Sequence, residues 1–246
     1  MARVTKEADV RRDELLDVAL DLCVSVGFER MSVEQVTTTA GVAKGTFYHY
    51  FASKQDLLTQ LVARFGDELF EHLEGELGKV HGDALERLRA LLRISSTWRL
   101  ERLNASMSYL PFLLKEENYT LRHKLHSMWL ERLRPLLLVI VEQGAAEGLF
   151  KVEDPAATTS VLLTLWIDGG NRFWEHATVE SDAVGSMLSG AAAMQQAQER
   201  ILGVPEGSLS IIGALSAKDF DEARTLLTQQ LEGSTGPDHT EQEAHT

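Results

Sequence analysis

Apolar residues recur every three to four positions along most of this chain, which is the spacing of a helix that buries one face. One such run extends from Asp9 to Val26, and a longer one from Lys54 to Leu77. The longer run has its apolar residues at Leu57, Leu58, Leu61, Phe65, Leu69, Leu73 and Leu77. No segment shows the strict alternation that is typical of a strand, so the pattern predicts an all-α protein.

Capping residues and glycines divide the N-terminal part into short helices. Ser32, with Gln35 three positions later, matches a capping box and predicts a helix over 33–40. Gly41 then predicts a sharp turn with positive φ, because glycine adopts that conformation without steric cost. A second short helix is predicted over 43–50.

Similar signals mark the helices that follow. Ser53 with Asp56 predicts the start of the long helix, and Asp154 followed by Pro155 predicts another start. With Asp83 as a further N-cap, the later helices are predicted over 84–103, 105–115, 119–147, 155–176, 180–202 and 217–232. From 233 to 246 the chain has no large apolar residue to bury, which predicts a disordered tail.

Composition narrows the class of protein. The chain has 246 residues, enough for one full core or for one small and one larger domain, and with 44% hydrophobic and 25% charged residues its composition is typical of a soluble globular protein. Its single cysteine, Cys23, can form no internal disulfide, and this fits a reducing cytoplasm. The N-terminus lacks the apolar segment of a secretory signal, and the longest apolar run, Leu136 to Val141, is too short to span a membrane. We therefore expect a cytoplasmic protein without a membrane partner.

Charge is spread unevenly along the chain, whose net charge is −13. Residues 1–54 contain 7 Lys and Arg against 8 Asp and Glu, whereas residues 55–246 contain 17 against 29. An acidic protein does not bind nucleic acid over its whole surface, because like charges repel. Any contact with nucleic acid is therefore predicted in the nearly neutral N-terminal part.

Residues 32–50, two short helices joined by a glycine turn, have the pattern of a helix-turn-helix. The second helix of such a unit enters the major groove of DNA with its N-terminal residues at the base edges. There a lysine can donate to guanine, and a glycine lets the backbone approach. The residues predicted at this position are Lys44, Gly45 and Thr46. Those predicted to meet phosphates are Tyr48, His49, Tyr50 and Lys54.

The aromatic rings of this stretch are predicted to serve two purposes. Phe47 and Phe51, four positions apart, share one helical face and are expected to hold the short helix on the core. Tyr48 and Tyr50 carry hydroxyl groups and are expected to face outward. The alternative is that all four rings belong to the core.

The stretch MSVEQVTTTAGVAKGTFYHYFASKQDLL, Met31 to Leu58, resembles the DNA-binding domain of the TetR (tetracycline repressor) family of bacterial regulators. The resemblance covers about the first quarter of the chain. It implies a dimer with a DNA-binding domain, expected over 1–54, and a helical ligand-binding and dimerisation domain over 55–232. By position it implies the base and phosphate contacts named above, and it adds Ser32 and Thr37 as phosphate neighbours.

All four tryptophans lie in the larger domain, where aromatic side chains between helices can line a pocket. The predicted ligand-binding residues are Trp98, Arg99, Met107, Phe112, Trp129, Trp166, Asn171 and Phe173. Further candidates are Asn104, Tyr109, Tyr119, His126, Met128 and Trp174. The alternative for each of them is an ordinary core position. Because the set is mostly apolar with a few basic and amide groups, it predicts a hydrophobic or amphipathic small-molecule effector.

Metal and catalytic chemistry have little support in the sequence. His123 and His126 share a helical face and could ligate a metal, but no third ligand accompanies them, so a solvated face is preferred. The motifs G-x-S-x-G, H-E-x-x-H and C-x-x-C do not occur. We therefore predict no enzyme, no cofactor and no metal site.

Small residues are concentrated on two of the later predicted helices, at Gly169, Gly170, Gly190 and 191–193. The resemblance places the dimer interface on the helices over 155–176 and 180–202, as a four-helix bundle made by both subunits. The alternative is close packing within one subunit. The predicted function is a ligand-responsive repressor that binds a palindromic DNA operator as a homodimer. A transcriptional activator and a protein-interaction module without DNA binding are the alternatives.

Overall fold

The structure is a computed structural model that describes residues 2–179 and 183–209, with scattered helical positions between 218 and 229. Of residues 2–8, 168, 170–179, 183–184 and 187 only the backbone is described. Within these ranges the chain forms nine α-helices and no strand, which confirms the all-α prediction. The predicted helix over 217–232 is described only at scattered positions, and the predicted tail from 233 lies outside the described residues.

The helices follow one another through short connections. They are α1 (Ala2–Val26), α2 (Val33–Thr39), α3 (Lys44–Tyr50), α4 (Lys54–Leu77), α5 (Ala84–Glu101), α6 (Leu103–Leu114), α7 (Tyr119–Ala146), α8 (Pro155–Val179) and α9 (Ala183–Leu202). A single 3₁₀ turn, Glu116–Asn118, precedes α7. The predicted caps are confirmed: Ser53, Asp83 and Asp154 each accept a backbone N–H from the first turn of the helix that they precede.

Helix α4 connects two hydrophobic cores. Its first half contributes Leu57, Leu58 and Leu61 to the N-terminal core, together with apolar residues of α1, α2 and α3. Its second half contributes residues from Phe65 to Leu77 to the larger core, which α5, α7, α8 and α9 complete. Each fully buried leucine stabilises its core by about 1.5–3 kcal/mol, so α4 is fixed at both ends.

The N-terminal core also extends beyond the first four helices. Tyr109 and Leu113 of α6 and Leu125 of α7 are buried in it. Cys23 of α1 lies in the same core, and burial raises the pKa of its thiol to about 12. Cys23 therefore behaves as a small buried apolar residue.

Candidate nucleic-acid interface

Local hydrogen bonds fix the turn between α2 and α3. Ser32 Oγ accepts the backbone N–H of Gln35 at 3.1 Å, and Gln35 Oε1 accepts the backbone N–H of Ser32 at 2.8 Å, so both halves of the predicted capping box are present. At the other end Gly41 has φ of +65°. Its N–H donates to Thr38 O and that of Val42 to Thr37 O, which is the Schellman pattern. A residue with a Cβ would be strained at position 41.

Helix α3 presents one face outward and one face to the core. Lys44, Gly45, Tyr48 and His49 are exposed on the outer face, and Tyr48 retains 52% of its accessible area. Nothing lies within 4 Å of the position that a Cβ of Gly45 would take. The outer face of α3 therefore offers a cation, a hydroxyl, a ring nitrogen and open backbone to a partner.

The inner side of this segment is formed by Phe47 of α3 and by Phe51, which directly follows the helix, and both are fully buried, as expected. Their ring centroids are 5.3 Å apart, and the rings of Phe47 and Tyr48, also 5.3 Å apart between centroids, are nearly perpendicular. Tyr50 is half-buried, so it faces outward less than its hydroxyl suggested. Because Tyr48 is exposed, the alternative in which all four rings belong to the core is wrong.

Lys54 is placed differently from the prediction. Its Nζ donates to the backbone carbonyls of Phe28 at 3.1 Å, Glu29 at 3.0 Å and Met31 at 2.9 Å. The ammonium group also lies 4.7 Å from the centroid of the Phe28 ring, in a cation–π contact. Burial lowers the pKa of Lys54, and the neighbouring Cys23 and Glu29 counteract that shift. All three protons of the ammonium thus have partners inside the protein, and the predicted phosphate contact of Lys54 does not fit this geometry.

Thr37 is also buried, with 5% of its area exposed, and its hydroxyl donates to Glu34 O at 3.0 Å. It cannot reach a phosphate from this position, so its predicted role as a phosphate neighbour does not fit either. Ser32 is exposed beside it and remains compatible with that role. Thr46 is half-buried at the start of α3.

The loop between α1 and α2 joins the helix-turn-helix to α6, a connection that the sequence did not reveal. The backbone N–H of Phe28 donates to Ser108 O at 3.2 Å, and the rings of Phe28 and Phe112 are 4.5 Å apart. Lys115 Nζ lies 2.5 Å from Glu29 Oε1. Phe112, predicted to bind the ligand, is therefore engaged at this junction instead. These partners are far apart in sequence, so no local signal could have identified them.

Several other predicted ligand-binding residues have core positions. Trp98 is buried in the larger core, where its ring is nearly perpendicular to that of Phe65 with the centroids 5.8 Å apart, and Arg102 Cζ lies 4.3 Å from the centroid of Trp98. Met107 is buried as well. Tyr119, in contrast, is 60% exposed and stacks on His123 at 6.1 Å, so it is a surface residue rather than a pocket residue.

The remaining predicted ligand-binding residues lie at the edge of the larger core. Trp129 and Trp166 are half-buried, and the indole Nε1 of each is buried without a hydrogen-bond partner in the described part of the chain. Arg99 Cζ lies 6.0 Å from the Trp129 ring. The side chains of Asn171, Phe173 and Trp174 lie outside the described residues.

His126 is half-buried on α7, and burial lowers its pKa, with further lowering by Arg122 and His123. Among the described residues, no three His, Cys, Asp or Glu side chains come close enough together to hold a metal ion. In the same part of the chain, none of the helices combines the length and apolar character that crossing a membrane requires.

Comparisons with known proteins point to one family. Residues 15–61 match the model of bacterial regulatory proteins of the tetR family. Over 148 residues the chain is 28% identical to the HTH-type transcriptional repressor KstR2 of Rhodococcus jostii strain RHA1. The matched region covers 57% of this chain and 68% of that protein. Over 139 residues it is 28% identical to the fatty acid metabolism regulator protein of Bacillus subtilis strain 168, across 56% of this chain and 70% of that protein.

A solved structure shares the fold. It is a TetR-family transcriptional regulator from Pectobacterium atrosepticum, with a TM-score of 0.64 over 82% of this chain and 98% of that one. The two sequences are 20% identical, so this likeness concerns the arrangement of helices alone.

Proposed function

The chain belongs to the TetR family of bacterial regulatory proteins, and on that premise we propose that it is a repressor that binds a palindromic operator as a homodimer. A small hydrophobic or amphipathic molecule releases it from the DNA. The relatives are named as a transcriptional repressor and as a metabolism regulator, which supports a regulator rather than an enzyme.

The observation that carries the proposal is the outer face of α3. Lys44, Gly45 and Tyr48 are exposed at the start and middle of this helix, while Phe47 and Phe51 fix it on the core from the other side. This arrangement suits insertion into a major groove, where a lysine can donate to guanine O6 or N7. The exposed Tyr48 and His49, and Ser32 at the start of α2, are placed to meet phosphates.

Selection of binding sites from random DNA, followed by titration at several salt concentrations, tests this proposal. We expect a symmetric site whose half-sites lie about one helical turn apart or a multiple of it. Lys44→Ala should weaken binding and relax the base preference at one position by about 1–3 kcal/mol. Lys124→Ala, which removes an exposed lysine of α7, is the matched control and should bind like the parent. Selection that returns no symmetric site would overturn the proposal.

The proposed dimer interface lies on α8 and α9. Gly169 of α8 packs within the subunit, because a Cβ there would lie 2.2 Å from Met194 Cε of α9. Gly190 of α9 is different: it is exposed, and nothing lies within 4 Å of its Cβ position. The apolar Val161 of α8 is exposed as well. An open glycine and an exposed valine on this helix pair support a face that a second subunit covers.

Light scattering of Gly190→Leu tests the interface. The new side chain should prevent close approach of the partner, at a cost of about 1–3 kcal/mol, and should lower operator affinity with the loss of the dimer. Gly75→Leu places the same side chain at an open position of α4 and should leave the dimer intact. An unchanged dimer for Gly190→Leu would remove the assignment.

The proposed effector site includes Trp129 with Arg99 beside its ring, and Trp166, which packs against the same larger core. The relative from B. subtilis is named as a fatty acid metabolism regulator, which makes acyl chains sensible first compounds for a thermal-shift screen. Since all four tryptophans lie beyond the helix-turn-helix, intrinsic fluorescence should report binding. A compound that binds the parent and Trp166→Ala equally well, or that leaves operator affinity unchanged, would contradict this site.

Activation and pure protein binding remain the competing functions. A reporter gene placed behind the selected operator separates repression from activation, because deletion of the regulator raises expression in the first case and lowers it in the second. A helix-turn-helix that binds only protein would show no salt-dependent affinity for any selected DNA.

A further inference from the structure

One side of α6 meets the loop between α1 and α2 at three positions. Ser108, Phe112 and the C-cap residue Lys115 follow one another at spacings of four and three, which places them on the same side of that helix. Ser108 O accepts the backbone N–H of Phe28, and the ring of Phe112 lies against that of Phe28. Lys115 Nζ pairs with the carboxylate of Glu29 at 2.5 Å. We call these five residues the α6 junction.

The same loop is held from the other side by α4. Lys54 Nζ, at the start of α4, donates to the backbone carbonyls of Phe28 and Glu29. The backbone of these two residues is therefore fixed, while the carboxylate of Glu29 reaches out to Lys115. Ser32, the N-cap of α2, follows Glu29 directly after Met31, and α2 passes through a tight turn into α3. A displacement at Glu29 is thus carried into the helix-turn-helix.

Helix α4 is the covalent connection between α1–α3 and the larger core, and it runs unbroken from Lys54 to Leu77. A long helix resists stretching, because its hydrogen bonds lie along the axis, but it curves readily. Taken alone, α4 therefore fixes the distance of α3 from the larger core better than its tilt. An attachment away from the axis of α4 restrains the tilt, and the α6 junction is such an attachment.

The polar contacts of the junction restrain orientation more than the apolar ones do. Tyr109, Leu113 and Leu125 also join the later helices to the N-terminal core, but hydrophobic contact has no preferred direction. A hydrogen bond weakens steeply when donor and acceptor are misaligned. The charge-assisted contact between Glu29 and Lys115 is therefore the part of the junction that is most sensitive to tilt.

We propose that Glu29 and Lys115 are positioning residues that fix the tilt of α3 relative to the larger domain, and that they thereby set the half-site spacing that a dimer accepts. This inference rests on the proposed function, since it assigns a property of the operator to residues outside α3. One additional base pair moves a half-site by about 3.4 Å and turns it by about one-tenth of a turn. A firmly held α3 rejects this change, and a loosely held one tolerates it.

The exposure of the pair sets the size of the effect. Lys115 retains 38% and Glu29 29% of its side-chain area, so the pair is half-exposed. Ion pairs in contact with water contribute modestly, and a change of a few-fold is expected rather than a loss of binding. A ratio of affinities for two spacings detects such a change, because effects that are common to both DNA sites cancel.

Titration of operators that differ only in their spacer tests the pair. The selected site is prepared with its own spacer and with one base pair inserted or deleted, and the spacing preference is the ratio of the affinities. Lys115→Gln and Glu29→Gln should each lower this ratio by about twofold to fivefold. The double variant should lower it no further than either single variant, because both changes remove the same contact. The base preference within each half-site should stay as in the parent.

Two further variants separate orientation from charge and stability. Lys124→Gln removes an exposed lysine of α7 in the same way, and Lys115→Arg keeps the cation, so both should retain the ratio of the parent. A pair that served stability alone would lower the unfolding temperature and leave the ratio unchanged. That result, effects that multiply in the double variant, or a parent that binds all three spacers equally would overturn the proposal. A parent that selects no symmetric site would instead contradict the proposed function.

Discussion

Substitution of Lys54 by methionine separates an internal role for this residue from a role on DNA. Methionine keeps most of the apolar stem over Phe28 and removes the ammonium group, which donates to three backbone carbonyls. Lys44→Met is the matched control, because Lys44 is exposed one helix earlier. The two lysines lie in the same small domain and differ in what they contact.

The expected loss of stability follows from the three carbonyls. Hydrogen bonds to charged groups are worth about 1.5–3 kcal/mol each, and three of them would exceed 4 kcal/mol. Desolvation lowers the pKa of Lys54, however, so the ammonium does not gain the full value of its bonds. Counting about 1 kcal/mol for each carbonyl that loses its donor, we expect Lys54→Met to cost about 3 kcal/mol. Lys44→Met should cost less than about 0.5 kcal/mol.

Urea unfolding followed by far-ultraviolet circular dichroism measures these costs, since the helix-turn-helix itself contains no tryptophan. Operator titrations at several salt concentrations measure the second role. A lysine that neutralises a phosphate contributes about 0.9 to the slope of log affinity against log salt. We expect the slope of log affinity against log salt to be the same for Lys54→Met and Lys124→Ala as for the parent protein. An unchanged urea midpoint for Lys54→Met together with a lower salt slope would refute the internal role.

Three further predictions concern single side chains. Gly41→Val should cost about 1–2 kcal/mol in urea unfolding, because its φ of +65° strains a β-branched residue, and Gly41→Asn should cost less. Cys23→Ser should cost about 1–3 kcal/mol by burying a hydroxyl group in an apolar core, and equal stability of Cys23→Ser and Cys23→Ala would contradict this reason. Burial lowers the pKa of His126 from 6.5, so the unfolded chain takes up its proton first. The stability that neutral His126 contributes is fully present above about pH 6.5 and is lost as the pH falls below that value. The thermal unfolding temperature of His126→Gln should therefore decrease less on acidification than that of the parent.

Features that depend on neighbouring residues were predictable from the sequence. The capping box of Ser32 and Gln35 and the turn at Gly41 were identified correctly, because every group involved lies within a few positions. The end of α5 was misplaced by two residues, since the backbone of Arg102 leaves the helix without a glycine or proline to mark the change. A helix end of this kind has no local signal.

Features that depend on distant contacts were not predictable. Lys54 is separated by 23 to 26 residues from the carbonyls that it binds, and a lysine in the first turn of a helix suggests a surface charge. The connection of Glu29 to Lys115 spans 86 residues. Gly66 did carry a signal that was overlooked, since a glycine in the middle of a long apolar helix is costly unless a neighbour requires it, and here a Cβ would lie 2.9 Å from Trp129 Nε1.

The shared N-terminal core limits how members of such a family can evolve by recombination. Tyr109, Leu113 and Leu125 fill space beneath the helix-turn-helix, although they lie far along the chain. A crossover after Lys54 would join the N-terminal domain of one ancestor to α6 and α7 of another. The hybrid would fold only where the volumes of these three side chains match the space left in the new N-terminal core. Point substitutions on the outer face of α3, at Lys44 for example, need no such match. Under the proposed function, a preference for a new operator would therefore arise one residue at a time while the inherited core stays intact.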